Sequence, residues 1–172
     1  PMTVTDIICW HIGCGMGIYG VGPLRLGYKN RQRIPRVYIP TELNVPDVSQ
    51  RCHWDDSWAQ EIGNPYAYDY GIMRENWVIH LCTDWMGDDA WLWKLDVQMR
   101  RFNYLGDTHW MRGKIAKKYM AEAGRPAVDL DLWGENQRGE VTCPATATIL
   151  LPSREHGEVQ LPTPPGRPED LT

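Results

Sequence analysis

The spacing of hydrophobic positions changes along this 172-residue chain, from a helical repeat to strict alternation. Ile72, Met73, Trp77, Val78, Leu81, Cys82 and Trp85 fall near helical spacing. This predicts a helix over 71–85 whose apolar stripe is broad enough to be largely buried. A shorter apolar segment, Ile7 to Ile12, is preceded by Thr3 and Asp6, spaced as a capping box. Residues 55–62 predict a short helix with Asp55 and Asp56 in its first turn, where acids oppose the helix dipole, and Gly63 closes it.

Beyond residue 90 the period is two. Trp93, Leu95, Val97 and Met99 alternate with Lys94, Asp96, Gln98 and Arg100; Val128, Leu130 and Leu132 alternate with Asp129 and Asp131. Val141, Cys143, Ala145, Ala147, Ile149 and Leu151 alternate with Thr142, Pro144, Thr146 and Thr148. Such runs are strands with one buried face. Thr108 to Ala121 is a fourth strand, and Pro144 points to an edge strand or a bulge. Leu105-Gly106-Asp107 and residues 135–139 are turn-like. The economical packing is an α+β fold, a long curved antiparallel sheet wrapped around the central helix. The expected boundaries are one domain over 1–152, an irregular insertion near 13–50, and a proline-rich extended tail over 153–172.

Composition narrows the function classes. The chain is 42% hydrophobic and 23% charged, which suits a globular domain. Its net charge of −4 argues against a general nucleic-acid binder, which needs a basic surface to displace counterions. No apolar run approaches the ~20 residues of a membrane helix. Pro1 to Asp6 does not read as a leader peptide. The five cysteines, Cys9, Cys14, Cys52, Cys82 and Cys143, contain no C-x-x-C, so a reducing cytoplasm is expected rather than a disulfide framework. Nine tryptophans against one phenylalanine suggest a wide core with polar seams.

Some local patterns carry no chemistry. Gly15-Met16-Gly17-Ile18-Tyr19-Gly20 matches G-x-G-x-x-G, but a predicted helix precedes it and a proline-rich loop follows, the reverse of a dinucleotide site. Cys52-His53, His80 and Cys82 lack ligand spacing, so no metal site is expected. Arg112, Lys114 and Lys118 read as a solvated strand face.

Four segments carry a resemblance. His53-Trp54-Asp55-Asp56-Ser57-Trp58-Ala59 resembles the H-x-D-x-x-x-A segment of MaoC-like hot-dog dehydratases, which include (R)-specific enoyl-CoA hydratases. Gly63-Asn64-Pro65 with Tyr70-Gly71 resembles the stretch that leads into their central helix. Gly106-Asp107-Thr108 with Gly113-Lys114-Ile115 is similar to the P-G-D-T and G-x-V elements, and Asn136-Gln137-Arg138-Gly139-Glu140-Val141 to the N-Q-x-G-x-x-V stretch. Together they span roughly residues 53–152, with the flavour of the FAS1-like dehydratase subgroup. The family pattern D-x-N-P-x-H is altered: Val48 stands at the acid position, Asp47 lies one residue earlier, and Gln50 and Arg51 replace Asn and Pro. Tyr70-Gly71 replaces the His-Gly that leads the helix.

The resemblance implies a hot-dog fold, usually dimeric or doubled, and reversible hydration of a 2-enoyl thioester. It implies an Asp and a His that activate water, and a backbone N–H at the helix N-terminus that holds the thioester oxygen. Coenzyme A enters only as part of the substrate, and no other cofactor is needed. His53 is then the catalytic base, or else a histidine that caps the following helix. Asp47 would orient the water or His53, or is a turn residue after Pro46. Asp69 is a second acid, or the N-cap of the central helix. Gly71 offers an oxyanion N–H, or is a packing glycine. Tyr70 and the cluster Arg31, Arg33 and Arg36 are candidate substrate contacts, the arginines for coenzyme A phosphates.

The expected activity is hydration or dehydration of an acyl-CoA thioester, by a homodimer or with another hot-dog subunit. The alternatives are a non-catalytic subunit that completes a heteromeric hydratase, and a thioesterase. The thioesterase needs an acid on the central helix, where Glu75 and Asp84 are the only ones well inside.

Overall fold

Thr3 and Asp6 start the first helix as a reciprocal cap: the Thr3 amide donates to Asp6 Oδ2 at 2.8 Å and the Asp6 amide to Thr3 Oγ1 at 3.3 Å. In this computed structural model the described residues are 1–13, 38–40, 46–159 and 161; for 38–40, 46–49 and 123 only the backbone is described. The glycine-rich stretch, Arg31, Arg33, Arg36 and the tail from 162 lie outside them.

Helix α1 spans Val4–Gly13 and turns Ile7 and His11, one helical turn apart, inward. Its start is tied to a distant turn, for Met2 N donates to the Asp107 carbonyl and Gly106 N to the Met2 carbonyl. Short strands β1 (Tyr38–Pro40) and β2 (Pro46–Val48) pair antiparallel. A 3-10 turn over Ser49–His53 leads to α2 (Asp56–Glu61). Asp55 caps α2 through the Ser57 and Trp58 amides, and Gly63 at φ 90° ends it.

Helix α3, Gly71–Met86, is the central element. It lies across one sheet of four antiparallel strands: β3 (Trp91–Val97), β4 (His109–Ala121), β5 (Arg125–Asn136) and β6 (Val141–Leu150), in the order β3-β6-β5-β4. Val78 and Cys82 of α3 meet Val128, Leu130 and Leu132 of β5 and Cys143, Ala145, Ala147 and Ile149 of β6 in the main core. The alternating residues predicted to face inward on these two strands do so, except at one end.

That exception has a local cause. Register shifts between Gly134 and Glu135, so that Gly134 pairs with Cys143 and Glu135 with Val141, leaving Thr142 as a bulge. An extra residue flips the facing of what precedes it. Thr142 is therefore buried and Val141 exposed, the reverse of the alternation. Pro144 sits two residues away in an inner strand, not at an edge. Its carbonyl accepts from Gln98 N, just past the end of β3, so its missing N–H interrupts no β3 ladder bond.

Two other expectations change. Helix α3 is covered on one side only, so Met73, Arg74, Val78 and Cys82 are buried while Ile72, Ile79 and Trp85 face outward. The tryptophans do not make the main core: Trp58 alone is buried, while Trp85, Trp91 and Trp110 are exposed. Trp10, Trp54 and Trp77 instead pack around a second cluster, Met2, Ile7, Tyr70 and Met73, at the N-terminal end of α3.

Candidate functional site

His53 ends the 3-10 turn and rests beside the start of α3. Its Nδ1 lies 2.9 Å from the Tyr68 carbonyl. A carbonyl only accepts, so Nδ1 carries the proton and Nε2 keeps the lone pair. The imidazole also packs on the Tyr70 ring, with centroids 3.7 Å apart, and meets the Tyr68 ring edge-on at 4.8 Å. Burial pushes the His53 pKa down to about 4; the nearby His11 acts in the same direction, and backbone hydrogen bonds at Tyr68 and Asp69 oppose it. At neutral pH His53 is an uncharged base.

Tyr70 is the N-cap residue of α3 by its backbone and makes no side-chain cap bond. Its hydroxyl is 2.6 Å from Nδ1 of His11, a fully buried residue of α1. The Tyr70 ring stacks on Trp10 at 5.1 Å, and His11 meets Trp54 edge-on. Gly71 is the first residue of α3, so its N–H is among those a helix leaves unpaired within itself. Among the described residues a Cβ on Gly71 would meet only Met99, at ordinary contact distance.

Asp69 is not the helix cap. Its carboxylate is buried and paired with Arg74 Nε at 2.9 Å, inside the first turns of α3. Arg74 also donates through Nη1 to the Arg101 carbonyl at 2.6 Å and the Thr142 carbonyl at 3.4 Å. The fully buried Asn103 receives the Asp69 amide on its carbonyl at 2.9 Å. Burial raises the Asp69 pKa to about 7, against the pull of Arg74 and Asn103. The helix starts at Gly71, which makes Tyr70 rather than Asp69 the N-cap residue, and the Asp69 carboxylate turns to Arg74 instead.

Asp47 stands in the middle of β2, opposite Ile39, and its side chain is not among those described. Arg31, Arg33 and Arg36 lie outside the described residues altogether. Glu75 and Asp84 are exposed on α3. Among the described residues no group of three His, Cys, Asp or Glu side chains could hold a metal ion, and no helix is long and apolar enough to cross a membrane.

Two of the recognisable segments meet each other rather than His53. Asp107 accepts from Arg138 Nη1 and Nη2 at 2.6 and 2.8 Å, from Gln137 Nε2 at 2.6 Å and from Tyr104 N at 2.9 Å. The turn before β4 is thereby clamped to the β5–β6 turn. The bidentate geometry explains an Arg at 138. Next to it, His109 Nε2 shares a hydrogen bond with the bulged Thr142 hydroxyl, and burial lowers the His109 pKa to about 4.

A cavity of about 600 Å³ opens between α1, the first half of α3 and the start of β4, lined by Trp10, Met73, Trp77, Asn103, His109 and Met111 among others. This volume suits a small-molecule site, which is usually roughly 300–1,000 Å³. Trp10 lines the cavity and stacks on Tyr70, while His53, Tyr70 and Gly71 are not among its lining residues. The sequence pointed to His53 but not to His11 or the Tyr68 carbonyl. His11 lies in a separate helix beyond the glycine-rich stretch, and a backbone acceptor leaves no mark on residue identity.

No protein-family model matches the sequence, and no match is found among the curated proteins. Solved structures do match. A chain of the ChsH1-ChsH2 complex from Mycobacterium tuberculosis superposes with a TM-score of 0.58 at 15% identity, covering 87% of both chains. The (R)-hydratase from A. caviae involved in PHA biosynthesis gives 0.56 at 11% identity, over 88% of this chain and 89% of that one. The R-hydratase PhaJ1 from Pseudomonas aeruginosa gives 0.51 at 16%, over 69% and 74%. With its four-stranded antiparallel sheet and central helix, the chain has the hot-dog fold. The neighbours with that fold include hydratases.

Proposed function

We propose that this protein catalyses the reversible addition of water across the 2,3 double bond of an acyl-CoA thioester. The observation that carries the proposal is the pairing of a neutral His53, with its lone pair on Nε2, and a helix N-terminus at Tyr70-Gly71. In hydration His53 Nε2 takes a proton from water while the water oxygen bonds to C3. Electron density moves to the thioester oxygen, where the Gly71 N–H and the helix dipole stabilise it. The imidazolium then returns its proton to C2, and the thioester is restored. Every atom of water ends in the product, so the cycle closes without a metal or organic cofactor. The cavity behind Trp10, with Met73, Trp77 and Met111 on its apolar side, is the candidate place for the acyl chain. The names of two fold neighbours, both (R)-hydratases, support the chemistry.

One observation favours a second reading. Val48 occupies the place of the acid in the resembled motif, which suits a non-catalytic hot-dog subunit that completes a heteromeric hydratase. The outward Ile72, Ile79 and Trp85 of α3 support contact with another subunit, and one fold neighbour is itself in a complex, ChsH1-ChsH2. The thioesterase reading gains nothing from α3, whose internal acids Glu75 and Asp84 are exposed.

The test is purified protein against a panel of 2-enoyl-CoA thioesters, following loss of the conjugated enoyl absorbance, with His53→Ala alongside. Turnover that disappears in the variant supports a self-sufficient hydratase. No turnover alone, but turnover on co-expression with a second hot-dog subunit, supports the second reading. Equal turnover by His53→Ala contradicts the mechanism.

A further inference from the structure

Tyr70 is buried with its hydroxyl 2.6 Å from His11 Nδ1, while its ring carries the His53 imidazole at 3.7 Å. The bond between the buried hydroxyl and the buried imidazole satisfies a polar group on each side, and it restrains both rings. A tyrosine pinned at its hydroxyl cannot swing about χ1 without breaking that bond. The His53 ring is restrained in its plane by the Tyr68 carbonyl and on its face by Tyr70. The last link runs back along α1, which the Thr3–Asp6 cap starts and the Met2–Asp107 backbone bond anchors. The glycine-rich segment and the four segments that carry the family resemblance all follow His11 in sequence, so none of them foreshadows a role for it.

We propose that His11 is a positioning residue of the site, acting on His53 through the Tyr70 hydroxyl and ring. The proposal rests on the hydratase reading for its kinetic test but not for its structural one. His11 touches no reacting atom. Its hydrogen bond keeps the Tyr70 ring at one angle, and that ring keeps the His53 imidazole in the orientation its Nδ1 bond requires. Misplacement of a catalytic group by about 1 Å can cost on the order of a hundredfold in rate.

The kinetic arm is a double-mutant cycle of His11→Phe and Tyr70→Phe with an enoyl-CoA that the wild type hydrates. Each variant is expected to lower kcat by roughly ten- to a hundredfold with KM kept within about twofold, and the double variant to be no slower than the slower single. His11→Asn, whose amide can stand in for Nδ1, should recover part of the loss. Multiplicative losses, or unchanged kcat in folded variants, would overturn the proposal.

The structural arm needs no substrate. Nitrogen-15 NMR of the imidazoles should show one Nδ1–H tautomer for His53 in the wild type and an averaged signal in Tyr70→Phe and His11→Phe. An unchanged His53 signal in both would overturn the proposal, whatever the activity. If His11→Phe does not fold, Tyr70→Phe and His11→Asn decide by the same signals. A wild type that hydrates nothing would count against the hydratase reading, while the NMR arm still judges His11.

Discussion

Nδ1 of His53 donates to the Tyr68 carbonyl at 2.9 Å, and that single bond leaves the lone pair on Nε2, the nitrogen to which the proposed mechanism gives the role of base. With its pKa pushed down to about 4, His53 stays neutral across the physiological range. The acid limb of kcat/KM should therefore fall near pH 4 rather than near 6.5, the ordinary histidine value. His53→Asn should cost about 10²–10⁴ in kcat, the usual worth of a positioned acid–base group. A limb at pH 6.5 in the free enzyme would show that His53 is not held as described.

Removing Arg74 strands the buried Asp69 carboxylate. Breaking a buried pair this way typically costs about 3–5 kcal/mol. Arg74 also serves the Arg101 and Thr142 carbonyls, so Arg74→Met should fall at the high end. Urea denaturation at pH 8 reads the loss. Lowering the pH should return part of it, because the stranded carboxyl can then take a proton.

Stability should depend on pH in a way two variants separate. His53 and His109 fold with pKa about 4 against 6.5 unfolded, so between pH 4.5 and 6.5 the unfolded chain binds more protons and each contribution to stability rises with pH. Asp69 folds with pKa about 7 against 3.8, so across the same window the folded chain binds more and its contribution falls as pH rises. Each group changes the slope by roughly 1.4 kcal/mol per pH unit. His53→Phe should therefore lower the slope by about one proton and Asp69→Asn should raise it by about one, as read from urea midpoints at three pH values.

Gly134 is glycine for a reason of space. A Cβ there would lie 2.6 Å from both Cys143 Sγ and His109 Cε1. Both neighbours are packed, so Gly134→Ala should cost about 1–3 kcal/mol, as overpacking usually does. Gly113→Ala meets one close atom, Leu132 Cδ2 at 2.5 Å, at the movable end of a side chain, and should cost less. Thermal melts of the two variants give the order.

The fold was largely legible because its long elements have clean periods. The stripe from Ile72 to Trp85 marks α3, and the alternation through Leu130 and Ala147 marks the inner strands. What period cannot show is where one residue slips: the Thr142 bulge reverses its neighbours without disturbing the pattern of residue types. Nor can it show how much of a helix the sheet covers, which is why Ile79 and Trp85 face outward. His53 stands out in the sequence only through the segment it shares with the resembled motif. Asp69, just before a helix, fits either a second acid or a cap; its partner Arg74 lies inside the helix, and only the packing reveals that pair. His11 and the Tyr68 carbonyl reach His53 through tertiary contacts alone.

The most direct measurement follows oxygen. The protein is incubated with a 2-enoyl-CoA in ¹⁸O-labelled water, and the products are weighed by mass spectrometry. Hydration by His53 predicts one ¹⁸O in the C3 hydroxyl, with coenzyme A still attached and no label incorporated by His53→Ala. Label in a free carboxylate with coenzyme A released, or equal incorporation by the variant, would contradict it.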